Sequence, residues 1–170
     1  KGIDVSICTS DKDCRQVISD RVRMFNLRKR TALDRAALLA DWGVAPEQVV
    51  DFQSLVGDAA DNVPGVKGIG EKTAAKWVVE YGSLTELLNQ VEKVGGKVGE
   101  SLRANIENVK RNRELTQLIH DAPVDFTIDA LSWNGVTESD LTTLFDQLEF
   151  RTLKDRLKAI STGESPTTSP

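Results

Sequence analysis

The chain has 170 residues, a formal net charge of -4, 39% apolar and 28% charged residues, and a mean hydropathy of -0.30. That supports one compact domain, or a piece of a larger one with a small helical unit. It excludes a membrane span, since no run approaches the roughly 18 apolar residues required, and no signal-peptide layout opens the chain.

Lys1-Gly2-Ile3-Asp4 leads straight into Val5-Ser6-Ile7-Cys8-Thr9, which predicts a strand buried on at least one face, and the start reads as a cut through a fold. Cys8 and Cys14 are the only cysteines and have no second pair for a zinc site. They read as ordinary thiols of a reducing, bacterial-type cytoplasm. Ser10-Asp11-Lys12-Asp13 offers N-cap chemistry for an ensuing helix. Val22 to Leu27 predicts a second strand, with Val22, Met24 and Asn26 alternating against Arg23 and Phe25. Strand, helix and strand are the tail of an α/β layer, whose remaining strands are expected upstream. Residues 21–35 carry Arg21, Arg23, Arg28, Lys29, Arg30 and Arg35 against Asp34, a net +5.

From about Thr31 the pattern turns helical, with a helix from Ala32 to Trp42 ending at Gly43. Pro46 suits the first turn of the next helix, where Val49, Phe52, Leu55 and Val56 share one face. Gly57, Pro64, Gly65, Gly68 and Gly70 make a turn-dense stretch. A helix from Glu71 to about Tyr81 stops at Gly82, and Ser83-Leu84-Thr85-Glu86 has the pattern of a capping box. Gly95-Gly96 precedes a basic helix around Ser101 to Leu118; residues 97–113 are net +3, and residues 114–150 hold eight acids and no Lys or Arg. Val124 to Ile128 reads as a short extended segment, and Thr137 to about Ile160 as helix broken near Phe150. The Ser-, Thr-, Pro- and Gly-rich end, residues 161–170, reads as a linker or disordered tail.

Two carboxylate pairs stand out. Asp11 and Asp13 sit where a strand runs out into a helix, the end of an α/β sheet where chemistry usually lies. They suit a hard cation such as Mg²⁺, or a helix cap and its positive end. Asp58 and Asp61, at i and i+3 of a helical turn, would point the same way and repel unless a cation lay between them. They read equally as an exposed helix end.

Val63 to Ala74 contains the most specific feature. Gly68 and Gly70 flank Ile69 and permit a tight turn that a backbone can approach closely. The turn feeds a helix whose first N–H groups suit a phosphate without reading a base. Lys67, Lys72 and Lys76 add positive charge, and Ile69 plugs the turn from inside. A generic glycine link between helices remains the plain alternative.

The run Gly57-Asp58-Ala59-Ala60-Asp61-Asn62-Val63-Pro64-Gly65-Val66-Lys67-Gly68-Ile69-Gly70-Glu71-Lys72-Thr73-Ala74 closely resembles the signature of the 5′-nuclease domain of the bacterial DNA polymerase I type, in the flap endonuclease superfamily. Ser10-Asp11-Lys12-Asp13 with Gln16, Tyr81-Gly82-Ser83-Leu84 and Leu148-Glu149-Phe150-Arg151-Thr152-Leu153 are similar to further family elements, over roughly residues 3 to 158. The resemblance implies the end of a PIN-like, Rossmann-like α/β layer (residues 1–45) followed by a mainly α helix-three-turn-helix, or helix-hairpin-helix, domain (residues 46–160).

It implies a structure-selective 5′-3′ exonuclease or flap endonuclease with a two-metal Mg²⁺ or Mn²⁺ site, acting in replication and repair. Asp11, Asp13, Asp58 and Asp61 match four of its metal-site carboxylates. Lys67, Gly68, Ile69, Gly70, Lys72, Thr73 and Lys76 match the element that grips duplex or flapped DNA by its phosphates, with K⁺ on the turn carbonyls. A monomer in the bacterial cytoplasm, associated with the nucleoid and joined to a C-terminal polymerase domain, is the expected setting. The family's opening strand with its aspartate, helical arch and upstream acidic cluster are absent, so the fragment alone is expected to be weak or inactive. A non-catalytic duplex-binding module and a helical protein-interaction domain are the competing readings.

Overall fold

The computed structural model describes residues 2–133 and 137–161, with the side chains of 158–161 left aside. The chain divides into two compact units, Lys1–Asp121 and Ala122–Pro170.

The first unit opens with β1 (Val5–Ile7), a 3₁₀ helix (Lys12–Val17) and β2 (Val22–Asn26). β1 and β2 pair in parallel, Val5 opposite Val22 and Ile7 opposite Met24. The sequence predicted two strands and a helix from Thr31; instead Thr31–Leu33 is β3, antiparallel to β2 with Met24 opposite Leu33. The sheet therefore has three strands in the order β1-β2-β3. Helix α1 (Arg35–Trp42) begins only after Asp34, whose carboxylate accepts the Ala37 N–H. β1 is also less covered than expected, with Val5 exposed and Ile7 half-buried.

Pro46 opens a 3₁₀ turn (Pro46–Gln48) that runs into α2 (Val49–Val56). A single apolar face was expected for α2, but every residue from Val49 to Leu55 is buried. It is the central helix, and its polar residues must find partners inside. Asp51 accepts the Leu84 N–H at 2.8 Å and the Arg113 Nε–H at 2.9 Å. Ser54 donates to the Val50 carbonyl at 2.6 Å. Phe52 stacks on Trp42 with centroids 4.7 Å apart, and the Arg15 guanidinium lies over the Trp42 ring.

Helix α3 (Glu71–Tyr81) has the predicted bounds. α4 (Leu84–Asn89) starts at Ser83, whose hydroxyl accepts the Glu86 N–H. The predicted basic helix is two helices, α5 (Gly96–Ala104) and α6 (Ile106–Thr116), parted at Asn105. Leu38, Val44, Phe52, Leu55, Ile69, Val78, Leu87, Leu102 and Val109 belong to one continuous core. Asn112 of α6, 1% exposed, donates to the Ser54 and Pro64 carbonyls at 3.1 and 2.7 Å, tying α6 to α2 and to the glycine-rich turn.

In the second unit, the 124–128 segment forms no strand among the described residues. α7 (Glu138–Gln147) and α8 (Arg151–Ser161) are parted near Phe150 as expected, with Glu149 at φ 56° and Phe145 facing Phe150 at 6.2 Å. Residues 162–170 of the expected tail lie outside the described residues. Among the described residues no helix is long and apolar enough to cross a membrane.

Candidate functional site

Asp11 caps the 3₁₀ helix: its carboxylate accepts the Asp13 N–H at 3.0 Å, and its own N–H donates to Thr9 Oγ1 at 3.0 Å. This local bonding turns the chain sharply as it leaves β1 and brings Asp13 against α2. There Gln53, 2% exposed, donates from Nε2 to Asp13 Oδ1 at 2.8 Å. Burial holds the Asp13 carboxyl above its ordinary 3.8; the like charges of Asp11, Asp61 and Asp58 raise it further, while the Gln53 bond opposes them.

Asp58 and Asp61 do not share a helical turn as predicted. Asp58 and Val63 form an antiparallel bridge, their backbones bonded both ways at 2.9 and 2.8 Å, and Asn62 at φ 57° closes the loop between them. Asp58 is buried and Asp61 exposed. Asp58 Oδ1 accepts the Ala60 N–H at 2.9 Å and Oδ2 accepts from Lys12 Nζ at 3.2 Å. The Ala60 bond first, then Lys12, hold its carboxyl below the ordinary 3.8 against the opposing effect of burial.

The four carboxylates, drawn from two segments, thus share one electrostatic neighbourhood, joined by the Lys12–Asp58 ion pair. Among the described residues no three acids, His or Cys stand close enough to form a metal-ligand set. The donor type suits a hard cation. Among the described residues Lys12 is the one cation that pairs directly with any of the four, and Asp13 bears repulsion that Lys12 does not cancel.

The glycine-rich turn lies between α2 and α3. Gly57 and Gly65 face each other closely: a Cβ on Gly65 would sit 1.9 Å from the Val56 carbonyl oxygen. Gly68 has φ +86°, and a Cβ there or on Gly70 would meet nothing within 4 Å. Ile69 is buried in the core, and Gly70 forms the N-cap position of α3, its carbonyl accepting the Thr73 and Ala74 N–H groups. Thr73 is half-buried, while Lys67 and Lys72 are exposed with Lys76, and none of the three forms an ion pair among the described residues.

Gln53 and Lys12 escaped the sequence reading as members of this site. A glutamine between Phe52 and Leu55 of an apolar helix was the available signal for the first, because a buried amide needs a partner. Its Oε1 is buried with no hydrogen-bond partner among the described residues.

Residues 44–139 match the family model described as 5′-3′ exonuclease, C-terminal SAM fold. The chain is 46% identical over 161 residues to the DNA polymerase I of Mycobacterium bovis, covering 92% of this chain and 18% of that protein. The chain therefore spans under a fifth of the length of that relative. Its fold is similar to that of T5 5′-exonuclease with bound divalent metal ions (zinc), at TM-score 0.62 and 27% identity, covering 66% of this chain and 42% of that one. The same score, at 26% identity and equal coverage, relates it to a bacteriophage T5 flap endonuclease in a complex with DNA and metal ions. The family match covers more than half of the sequence, and the chain belongs to the 5′-3′ exonuclease family.

Proposed function

We propose that this chain is part of a structure-selective 5′-3′ exonuclease or flap endonuclease on DNA, within a DNA polymerase I-like protein of the bacterial cytoplasm. The observation that carries the reading is the approach of the Asp11–Asp13 segment to Asp58 through the Lys12–Asp58 ion pair at 3.2 Å, at the start of the glycine-rich stretch that leads into α3.

In this reading residues 1–45 are the end of an α/β nuclease layer and residues 46–160 form the helix-three-turn-helix domain. Asp11, Asp13, Asp58 and Asp61 would hold divalent cations, Mg²⁺ or Mn²⁺. Such ions would supply an activated water and charge neutralisation at the leaving oxygen. The chain's own residues do the positioning. Gln53 orients Asp13 through the 2.8 Å bond, and Asp11 is kept at the chain's turn by its cap to the Asp13 N–H. Lys12 partly offsets the acids through Asp58. The open backbone at Gly68 and Gly70 admits a phosphate backbone, flanked by Lys67, Lys72 and Lys76, with Thr73 in the first turn of α3 and Ile69 anchoring the turn from inside. The turn carbonyls would hold K⁺ in this reading, and the protein acts as a monomer.

The want of three converging ligands among the described residues favours a second reading of the isolated chain: a duplex-binding module with little or no activity of its own. Asp58→Ala with Asp61→Ala, in a polymerase I-like polypeptide carrying this segment, is expected to abolish Mg²⁺-dependent cleavage of a 5′ flap while duplex binding persists. Cleavage at the unchanged rate would refute the metal assignment.

A further inference from the structure

The basic run of residues 21–35 divides sharply in the structure. Arg21 pairs with Asp4, Arg35 with Glu47, and Arg23 donates to Ser6 Oγ at 2.9 Å. Arg28, Lys29 and Arg30, at the β2–β3 turn, are exposed and have no ion-pair partner among the described residues. The turn is built: Asn26 Oδ1 accepts the N–H groups of both Arg28 and Lys29 at 3.0 Å, and Arg30 takes φ 51° to bring the chain back into β3. A non-glycine residue in that region is uncommon and needs such support. Three like charges are thus held together against their own repulsion, with no ion-pair partner among the described residues to relieve it.

Their place is informative. Because β1 and β2 are parallel, Thr9 and Asn26 leave the sheet at the same end. Thr9, Ser10, Asn26 and Arg28 line one shallow depression, and Thr9, Ser10, Asn26 and Lys29 line another. Thr9 also accepts the Asp11 N–H, so the cationic tip borders the segment that carries Asp11 and Asp13. The tip nevertheless makes no ion pair with those acids among the described residues.

We propose that the Arg28-Lys29-Arg30 turn is a phosphate-contact site for the DNA strand that runs past the carboxylate cluster, separate from the glycine-rich turn at α3. The inference rests on the DNA-acting reading above. A polyanion fits because phosphates at a spacing of several ångströms can each take one cation, and contacts of this kind position a strand without reading its bases.

The test is the salt dependence of duplex binding by the full chain, measured by fluorescence anisotropy. Each phosphate contact contributes about 0.9 to the slope of log K against log salt. Arg28→Gln, Lys29→Gln and Arg30→Asn together, with Asn chosen for the positive φ, should make that slope shallower by about 1 to 3. Lys29→Glu, a single reversal, should weaken binding in the same direction and serves where the triple variant does not fold by circular dichroism. Unchanged affinity and slope in a folded turn variant, while Lys67→Gln with Lys72→Gln and Lys76→Gln lowers both, would overturn this site and leave the proposed function standing. No salt-sensitive duplex binding by the unmodified chain would remove the DNA-binding part of that function, and this site with it.

Discussion

Replacing Gly65 by Ala would place a Cβ 1.9 Å from the Val56 carbonyl oxygen and 2.6 Å from its carbon, with the Gly57 nitrogen at 3.2 Å. The obstacle is backbone, so no side chain can swing aside. The turn could open only by disturbing the Asp58–Val63 bonds, the Val66 N–H to Leu55 carbonyl bond at 2.9 Å, and the Asn112 clamp on Ser54 and Pro64. A buried polar group stripped of its partner costs about 1–3 kcal/mol, and overpacking itself about 1–3 kcal/mol. A loss of about 2–6 kcal/mol is therefore expected, which at a urea slope of about 2 kcal/mol/M lowers the midpoint by about 1–3 M.

Two neighbouring glycines provide the contrast. At Gly68 the space is open but φ is +86°, so Ala should cost only about 1–2 kcal/mol. At Gly70 the space is open and φ is -97°, a conformation Ala adopts. There the poorer cap, about 1 kcal/mol, is offset by the stiffer unfolded chain, about 0.4–1 kcal/mol. Urea titrations followed by far-ultraviolet circular dichroism, with duplex affinity measured in parallel, separate the roles. Gly70→Ala should keep its urea midpoint and weaken duplex binding; Gly65→Ala should lower the midpoint by the amount above. A neutral Gly65→Ala, or a Gly70→Ala that destabilises equally, would show that the turn is not packed as described.

Gln53→Leu removes both the bond to Asp13 and the unpartnered Oε1, so stability should change by less than about 1.5 kcal/mol while Mn²⁺ affinity, read by water-proton relaxation, falls. An undiminished affinity would sever Gln53 from the site. Asp58, held below its ordinary value, contributes stability above pH 3.8 that is lost as pH falls through its lower folded value. The stability difference between the unmodified chain and Asp58→Asn should accordingly be flat near neutrality and close below pH 3.8. It should stay within about 1 kcal/mol for the Lys12 pair, since Lys12 is largely exposed. A difference that widened on acidification would contradict the Ala60 and Lys12 bonding.

Helix α3 was legible to its ends because the signals are local: a glycine on either side, Ser83 to cap the next helix, and an apolar repeat between. Strand β3 was not, since Thr31-Ala32-Leu33 has no strand pattern of its own and is ordered by pairing with β2. The uniform burial of α2 was likewise invisible, because the 3₁₀ segment, α3 and α6 surround it from distant parts of the chain. Asp58 and Asp61 had a helical spacing in sequence, yet the bridge from Asp58 to Val63 turned one inward and left the other outside.

What the amino-acid order alone determined here is local chemistry: glycines where φ must be positive or backbones must touch, caps at helix starts, and two pairs of acids with a family signature around them. What only the tertiary structure decided is which of these meet. Gln53 reaches Asp13, Lys12 reaches Asp58, and a basic turn stands beside Thr9 because parallel pairing and a central buried helix bring distant residues together. Capping and turn preferences act within a few residues and are written in the neighbouring letters. Contacts across tens of residues depend on how the whole core closes, and no short window of sequence contains them.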